Sequence, residues 1–194
     1  FEGQARILVL TPTRELASQI HRYACHLATD LDLDIAIITG GVPYGPQEEA
    51  LEGNVDILIA TPGRLMEYLD KRKFDATEVD ILIIDEADRM LDMGFIPQVR
   101  RLVQLTPKKE DRQTLLYSAT FTPDIMRLSQ SWTFEPVMVE IDAEKIATDT
   151  VEQKIYIATT DEKIILLQNI LLSYEVDSVM VFANRRDICR TLHE

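Results

Sequence analysis

Residues 81–88 read Ile-Leu-Ile-Ile-Asp-Glu-Ala-Asp, an apolar run that ends in three carboxylates. An uninterrupted run of this kind predicts a strand buried on both faces, as in a parallel sheet. In open α/β sheets, ligands bind beyond the carboxyl ends of the strands. An aspartate there can hold a nucleotide-bound Mg²⁺ and a following glutamate can orient or deprotonate a water, so Asp85 and Glu86 are candidate catalytic residues. The alternative is a solvated acidic turn that caps the next helix.

Segments of helical period alternate with further apolar runs of the same kind. These runs are residues 6–10, 35–39, 55–60, 114–117 and 137–141. Six strands with intervening helices predict an α/β fold with a doubly wound parallel sheet. Between the first two runs, Leu16, Ile20, Tyr23 and Leu27 recur at helical spacing. We expect them to face the sheet from a helix that Thr13 caps.

Length and composition are those of an ordinary globular protein, with 194 residues, 46% of them hydrophobic and 27% charged. This length accommodates one complete domain and a remainder. We expect a first lobe at 1–141, a charged linker at 142–150, and the start of a second lobe, cut short, at 151–194. Strands are expected in that second lobe near 153–158 and at 178–183.

Charge and cysteine content exclude several classes of protein. The formal net charge of −13 repels polyanions at long range, so any contact with nucleic acid must be local. Cys25 and Cys189 lie in predicted helices, where we expect small buried residues rather than a disulfide framework or zinc site. No apolar run is long enough to span a bilayer, and residues 1–6 lack the features of a signal peptide, so a cytoplasmic protein is expected.

The strand-to-helix loops that precede residues 81–88 are suited to anions. Residues 11–17 present free backbone N–H groups at a helix start, with Arg14 in the first turn. The Gly40–Gly41 pair allows close approach of a backbone, and residues 61–64 repeat the helix-start pattern with Arg64. Each feature is weak alone. Together they predict phosphate-sized sites along one rim of the sheet, which suits a nucleic-acid backbone and carries no base information.

With these residues in view, the sequence resembles the DEAD-box ATP-dependent RNA helicases of bacterial type. The matching segments, in the family's order, are 12–17 (motif Ia), 40–41 (the GG doublet), 61–64 (motif Ib), 85–88 (motif II), 118–120 (motif III) and 181–185 (motif IV). The sequence of residues 88–95 resembles that of bacterial members most closely. The resemblance implies a RecA-like first lobe and the start of a second RecA-like lobe.

The resemblance also implies cofactors, site residues and a mechanism. ATP and Mg²⁺ would be the cofactors, with Asp85 holding Mg²⁺ through water and Glu86 orienting the water that attacks the γ-phosphate. Asp88 would bond to the loop of Ser118, Ala119 and Thr120 and so couple the nucleotide site to the RNA site. ATP would close two lobes around a single strand bent too sharply to stay paired. The residues implied to hold that RNA strand by its backbone are Pro12, Thr13, Arg14, Gly41, Thr61, Pro62, Gly63, Arg64 and Asn184.

The sequence departs from the family in what it lacks. None of its seven glycines is followed by lysine, so the phosphate-cradling loop Gly-x-x-x-x-Gly-Lys-Ser/Thr is missing, as are the family's motifs V and VI with their arginine finger. We therefore expect an internal piece of a helicase that hydrolyses ATP negligibly by itself.

Two other functions stay open. One is a phospho-acceptor signalling domain with Asp85 as acceptor, although the strand ends at Thr11 and Thr61 lack the further carboxylates that such a domain needs. The other is a non-catalytic RNA-binding or partner-docking module, in which the loops bind and the acids only cap.

Overall fold

The structure is a computed structural model that describes residues 3–53, 55–141, 152–174 and 177–193. The chain divides into two compact units, Phe1–Val139 and Glu140–Glu194. Each is described by itself. The linker expected at 142–150 lies outside the described residues.

The first unit alternates strands and helices, except that two helices in succession separate its last two strands. Its elements are β1 (Ala5–Leu10), α1 (Arg14–Leu27), β2 (Ile35–Ile38), α2 (Tyr44–Glu52), β3 (Val55–Ala60), α3 (Pro62–Asp70), β4 (Ile81–Ile84), α4 (Ala87–Asp92), α5 (Ile96–Leu105), β5 (Gln113–Leu116) and α6 (Pro123–Trp132). The strands form one sheet in the order β2-β3-β1-β4-β5, and every neighbouring pair is parallel.

Helices pack on both faces of this sheet, as the doubly wound prediction requires. One face packs against α2 to α6 in a large core that includes Leu51, Leu65, Met90 and Leu102. The other face packs against α1, where Ala17 lies on Val9 and Ile59. Apolar runs form the strands because a strand covered on both faces buries every side chain. The predicted fold class is confirmed.

The sheet-facing side of α1 differs from the predicted stripe. The helix begins after Thr13, whose side chain accepts from Leu16 N as the sequence predicts. However, Ala17 is the buried residue of α1, while Tyr23 and Leu27 are 60% and 80% exposed. Small side chains let a helix approach the sheet closely, so the alanine side faces inward. The prediction was wrong for Tyr23 and Leu27.

Three predicted strands are not formed. Residues 137–141, 153–158 and 178–183 have no strand structure, and most of their large side chains are exposed. A strand is stable only beside a partner strand with which it can pair. Apolar composition alone therefore overpredicted the strands.

The second unit contains α7 (Lys163–Ser173) and α8 (Arg186–His193). Before α7, the N–H and hydroxyl of Thr159 both donate to Glu162 Oε2, at 2.9 and 2.7 Å. Cys25 and Cys189 are exposed, so the expectation that they are buried was wrong. Within the described ranges, no helix combines the length and the apolar character that a membrane span requires.

Candidate functional site

The carboxyl ends of the strands are level with one another at a single edge of the sheet. Leu10 at the end of β1 is in register with Ala60 and Ile84, the last residues of β3 and β4. Ile38 pairs with Ala60, and Ile84 pairs with Leu116. The loops that follow these strands therefore leave from one edge, and this edge carries every predicted site residue of the first unit. Asn184 lies in the second unit and is exposed.

Backbone hydrogen bonds continue the ladder one residue into these loops. The N–H groups of Thr11, Thr61 and Asp85 each donate to the last carbonyl of a neighbouring strand at 3.0 Å. Such bonds fix the point from which each loop starts. The sheet itself thus places the first residues of motifs Ib and II, Thr61 and Asp85, and the residue just before motif Ia, Thr11.

The turn between β4 and α4 holds Glu86 in an unusual conformation. Its φ and ψ are 49° and 52°, in the left-handed region that residues other than glycine rarely adopt. The N–H of Ala87 donates to Tyr117 O at 3.0 Å, and Arg89 Nη1 lies 3.2 Å from Glu86 Oε2. Backbone strain of this kind is concentrated at functional sites. Arg72 and Glu135 also have positive φ, so the strain supports a role for Glu86 only together with its position at the carboxyl end of β4.

Asp85 is partly buried beside this turn. Burial raises the pKa of its carboxyl above the ordinary value, the hydrogen bond from Glu86 N at 2.9 Å lowers it, and the nearby Glu86 charge raises it. The net direction is upward. A carboxylate in these surroundings gains from a cation that replaces the lost solvation.

The donor set at this edge fits one kind of metal site. In the part of the chain that the structure describes, no group of three or more His, Cys, Asp or Glu side chains could hold a metal. Mg²⁺ is typically held by one or two carboxylates together with waters and substrate phosphates. The Asp85 carboxylate therefore fits Mg²⁺ delivered with a nucleotide, and the described acidic residues do not form a structural metal cage.

Asp88 joins the start of α4 to the loop after β5. Its Oδ2 accepts from both the N–H and the hydroxyl of Thr120, each at 3.1 Å. The hydroxyl of Ser118 donates to Thr120 O at 2.8 Å and closes the loop on itself. Burial raises the pKa of Asp88, but hydrogen bonds from Arg89 N and from Thr120 outweigh it, so the pKa is lowered. Asp88 is therefore held as a carboxylate by its neighbours.

Gly41 and Arg14 lie close together at the ends of β2 and β1. Gly41 has a φ of +76°, and a Cβ added to it would meet Arg14 Nη1 at 3.0 Å. The Arg14 side chain is 60% exposed and paired with Glu15. Only glycine fits this backbone conformation without strain. A phosphate placed here would therefore meet both backbone and an exposed guanidinium whose Nε is paired with Glu15.

The start of α3 lies beside the glycine turn. Gly40 N donates to Thr61 Oγ1 at 3.4 Å, while Thr61 makes no side-chain cap bond to the helix. Pro62 is the first residue of the helix, and the space around Gly63 Cα is open. Uncapped N–H groups at a helix start attract anions.

Arg64 differs from Arg14 in its surroundings. Its side chain is 8% exposed and its Nη1 donates to Val42 O at 2.9 Å. Sequence reasoning missed three residues near Arg64 and the Gly40–Gly41 turn, namely Tyr44, Gln47 and Glu67. No motif marks them, because the contacts of Gln47 with Thr39 and Val42, and those of Tyr44 and Glu67 with Arg64, exist only in the folded chain.

A sequence model of the DEAD/DEAH box helicase family matches residues 2–128. The chain is 45% identical over 195 aligned residues to the ATP-dependent RNA helicase RhlB of Pseudomonas putida and equally to that of Pseudomonas aeruginosa; each match covers all of this chain and 49% of the relative. The RhlB of Xanthomonas oryzae is 42% identical over 182 residues, 93% of this chain and 32% of that protein. The chain thus spans half or less of the length of these relatives.

A solved structure shows the same architecture. The crystal structure of a hypothetical ATP-dependent RNA helicase from Sulfolobus tokodaii matches with a TM-score of 0.61 and 36% identity, covering 66% of this chain and 38% of that one. The family match covers the sheet and the edge that carries the acidic turn. The chain belongs to the DEAD/DEAH box helicase family.

Proposed function

We propose that this chain is a section of an ATP-dependent RNA helicase, in which RNA-stimulated ATP hydrolysis is coupled to local unwinding of RNA duplexes. The observation that carries the proposal is the contact of Asp88 with Thr120 at 3.1 Å. It ties the acidic turn to the next loop on the edge where the anion-receiving loops lie. A change at one site can therefore reach the other through hydrogen bonds.

The acidic turn supplies the nucleotide chemistry in this proposal. Asp85 would hold Mg²⁺ through water, and bound Mg²⁺ would neutralise charge that develops on the phosphates. Glu86 would accept a hydrogen bond from the attacking water and orient it. Its left-handed backbone and its ion pair with Arg89 fix the position of the Glu86 carboxylate before water binds. Asp88, Ser118, Ala119 and Thr120 would transmit the state of this turn.

The loops on the same edge supply RNA binding. Thr13 and Arg14 from the β1 loop, Gly41 from the β2 loop and Thr61, Pro62 and Gly63 from the start of α3 would contact phosphates and riboses of one strand. Backbone N–H groups and a small number of cations read shape and not sequence. Asn184 and the remainder of a second lobe would complete the contact. We propose 1–141, 142–150 and 151–194 as first lobe, linker and start of that lobe.

A non-catalytic RNA-binding module is the second candidate for the chain by itself. The observation that favours it is the missing Gly-x-x-x-x-Gly-Lys-Ser/Thr loop among the seven glycines. A site without that loop lacks the N–H groups and the lysine that hold the nucleotide phosphates. The acids would then have no organised nucleotide on which to act.

A chimera tests the catalytic proposal. The matched section of Pseudomonas putida RhlB is replaced by this chain, and phosphate release is measured with and without RNA. We expect RNA-stimulated hydrolysis that falls by about 10²-fold or more in the Glu86→Gln chimera, the usual loss when a general base is removed. The 194-residue chain alone should release phosphate no faster than its Glu86→Gln variant.

Two results would contradict this assignment. A folded chimera that binds RNA but hydrolyses ATP at the rate of its Glu86→Gln variant would remove the catalytic role of the acidic turn. RNA-stimulated phosphate release by the chain alone, above its Glu86→Gln control, would overturn the expectation that the chain is inactive by itself.

A further inference from the structure

The two arginines assigned to the RNA edge are in opposite surroundings. The Arg14 side chain is 60% exposed, and its guanidinium lies beside Gly41. The Arg64 side chain is 8% exposed and is already engaged by protein groups. An arginine that meets a phosphate must reach solvent or the ligand. These two side chains therefore cannot serve the same purpose in this conformation.

Arg64 belongs to a cluster with Tyr44 and Glu67, in which Arg64 is the buried member. Its guanidinium carbon lies 4.1 Å from the centroid of the Tyr44 ring, a cation–π distance. The Tyr44 hydroxyl donates to Glu67 Oε2 at 2.6 Å, and the same oxygen lies 3.2 Å from Arg64 Nε. The Nε contact is an ion pair without hydrogen-bond geometry, since Nε has no hydrogen-bond partner among the described residues. Each member of the cluster thus restrains the other two.

This cluster acts on the glycine turn through one carbonyl. Arg64 Nη1 donates to Val42 O at 2.9 Å, and Gln47 Nε2 lies 3.3 Å from the same oxygen. Gln47 is buried, its Nε2 also donates to Pro43 O, and its Oε1 accepts from Thr39 N at 2.8 Å. The residues on both sides of Gly40–Gly41 are therefore held by buried side chains.

The turn needs such support because its own residues supply little. Two adjacent glycines have more backbone freedom than any other pair, and that freedom must be lost to bind a phosphate in one geometry. The contact of Gly40 N with Thr61 Oγ1 is long, at 3.4 Å. Moving Arg64 out to a phosphate would remove a donor from Val42 O and break the contacts with Tyr44 and Glu67.

We propose that Arg64 is a positioning residue that holds the Gly40–Gly41 turn through the Val42 carbonyl, with Tyr44 and Glu67 fixing its guanidinium, and that it does not contact RNA phosphate. The proposal rests on the proposed binding of RNA by this turn. It replaces the role that the family resemblance implies for Arg64. Arg14 keeps its role as a phosphate ligand.

The first test measures the turn without RNA. Hydrogen exchange is followed in the 194-residue chain at the amides of Thr39 and Gly40, which donate to Gln47 Oε1 and Thr61 Oγ1. We expect exchange about 10-fold faster in Glu67→Gln and in Tyr44→Phe, with the urea unfolding midpoint unchanged, since a locally loosened turn opens without global unfolding. Glu49→Gln, which removes the same charge from an exposed site on α2, is the matched control and should leave exchange unchanged. Unchanged exchange in Glu67→Gln would overturn the proposal.

The second test uses fluorescein-labelled decauridine. Glu67→Gln should bind it about 3- to 10-fold more weakly, although the variant loses a negative charge, while Glu49→Gln should bind it no more weakly than the unchanged chain. If Arg64 were a phosphate ligand, releasing it from Glu67 would tighten binding instead. The sign of the change separates the two roles.

Salt dependence gives an independent readout. Each phosphate neutralised on a single strand contributes about 0.7 to the slope of log K against log salt. Arg14→Gln should make that slope shallower by about this amount, whereas Arg64→Met should leave it unchanged. A shallower slope in Arg64→Met would overturn the proposal. If the unchanged chain does not bind decauridine, RNA binding by this chain fails, and the exchange result alone decides whether Arg64 holds the turn.

Discussion

Gly41 occupies a backbone conformation that other residues adopt only with strain, at φ +76° beside the Arg14 guanidinium. We expect Gly41→Ala to lower the free energy of unfolding by about 1–2 kcal/mol, the penalty of a left-handed conformation for an L-residue. RNA affinity should fall as well, because the new methyl group displaces Arg14. Gly40→Ala is the matched control, since open space surrounds that position and its φ is not positive. Urea unfolding and decauridine binding check both variants, and equal losses at the two glycines would contradict the assignment.

Asp85 should make stability depend on pH in a defined direction. Burial raises its pKa in the folded chain above the ordinary value of 3.8. Between these two pKa values the folded state binds more protons, so this group's contribution is full below pH 3.8 and is lost as the pH rises through the folded pKa. Asp85→Asn has no such loss. The urea midpoint of Asp85→Asn relative to the unchanged chain should therefore be higher at pH 7 than at pH 4. A difference that does not change with pH would show that Asp85 is not desolvated.

The sequence alone predicted that Asp85 follows a buried strand and that Gly41 lies in a turn, because strand ends and turn glycines have local signatures. It did not predict Gln47, Tyr44 or Glu67. Gln47 contacts residues on both sides of the glycine turn, whereas Tyr44 and Glu67 contact Arg64. Such contacts between α2, α3 and the β2 loop exist only once the sheet has formed. The sequence also could not separate Arg14 from Arg64, because burial depends on neighbours that are distant along the chain.

At the scale of elements, one buried side chain joins three elements of the first unit and the loop that follows the first of them. Arg112 is 8% exposed and lies just before β5. It donates to groups at the end of α5, in the loop that follows, in β5 and at the end of α6. Its acceptors are Val103 O, Thr106 Oγ1, Pro107 O, Thr114 Oγ1 and Trp132 O. Only the guanidinium fork can supply this many donors in one plane.

We expect Arg112→Lys to destabilise the chain by about 2–3 kcal/mol, because an ammonium leaves several buried acceptors without donors. Arg127→Lys is the matched control. Its side chain is 78% exposed in an ion pair with Asp124, so its replacement should change stability by less than about 0.5 kcal/mol. Urea unfolding measures both. A similar small effect at both positions would mean that Arg112 does not join the elements.

Apolar runs form strands where a neighbouring strand is available for pairing. Where no such neighbour is present, the sequence predicted strands that do not form. The runs at β1, β3 and β4 became central strands, whereas residues 137–141 and 178–183 did not pair. The face of α1 that packs on the sheet was predicted only in part. Helical periodicity identifies an apolar stripe on the helix, but it does not tell which side of that stripe approaches the sheet. Pairing and close approach are properties of the assembled sheet and leave little trace in a single segment.

At the scale of the whole molecule, a net charge of −13 constrains how RNA can bind. Because such a charge repels RNA at long range, the proposed binding would have to gain its affinity from short-range contacts at the carboxyl edge of the sheet. In the proposed mode of RNA binding, most of these contacts would be neutral donors, namely backbone N–H groups and the hydroxyls of Thr13 and Thr61. Neutral donors hold phosphates without releasing counterions, whereas each cation that neutralises a phosphate does release them.

The salt dependence of RNA binding should therefore be shallow. With Arg14 as the main phosphate-contacting cation, the slope of log K against log salt should lie near −0.7 to −1.4, one or two phosphates at about 0.7 each. Titration of labelled decauridine between 50 and 200 mM KCl measures it, and affinity should fall by less than about tenfold over this range. A slope near −4 would require cations beyond those at this edge, and the RNA would then have to bind elsewhere on the chain. A shallow slope that Arg14→Gln reduces further would place the strand where the glycine turn and the start of α3 meet.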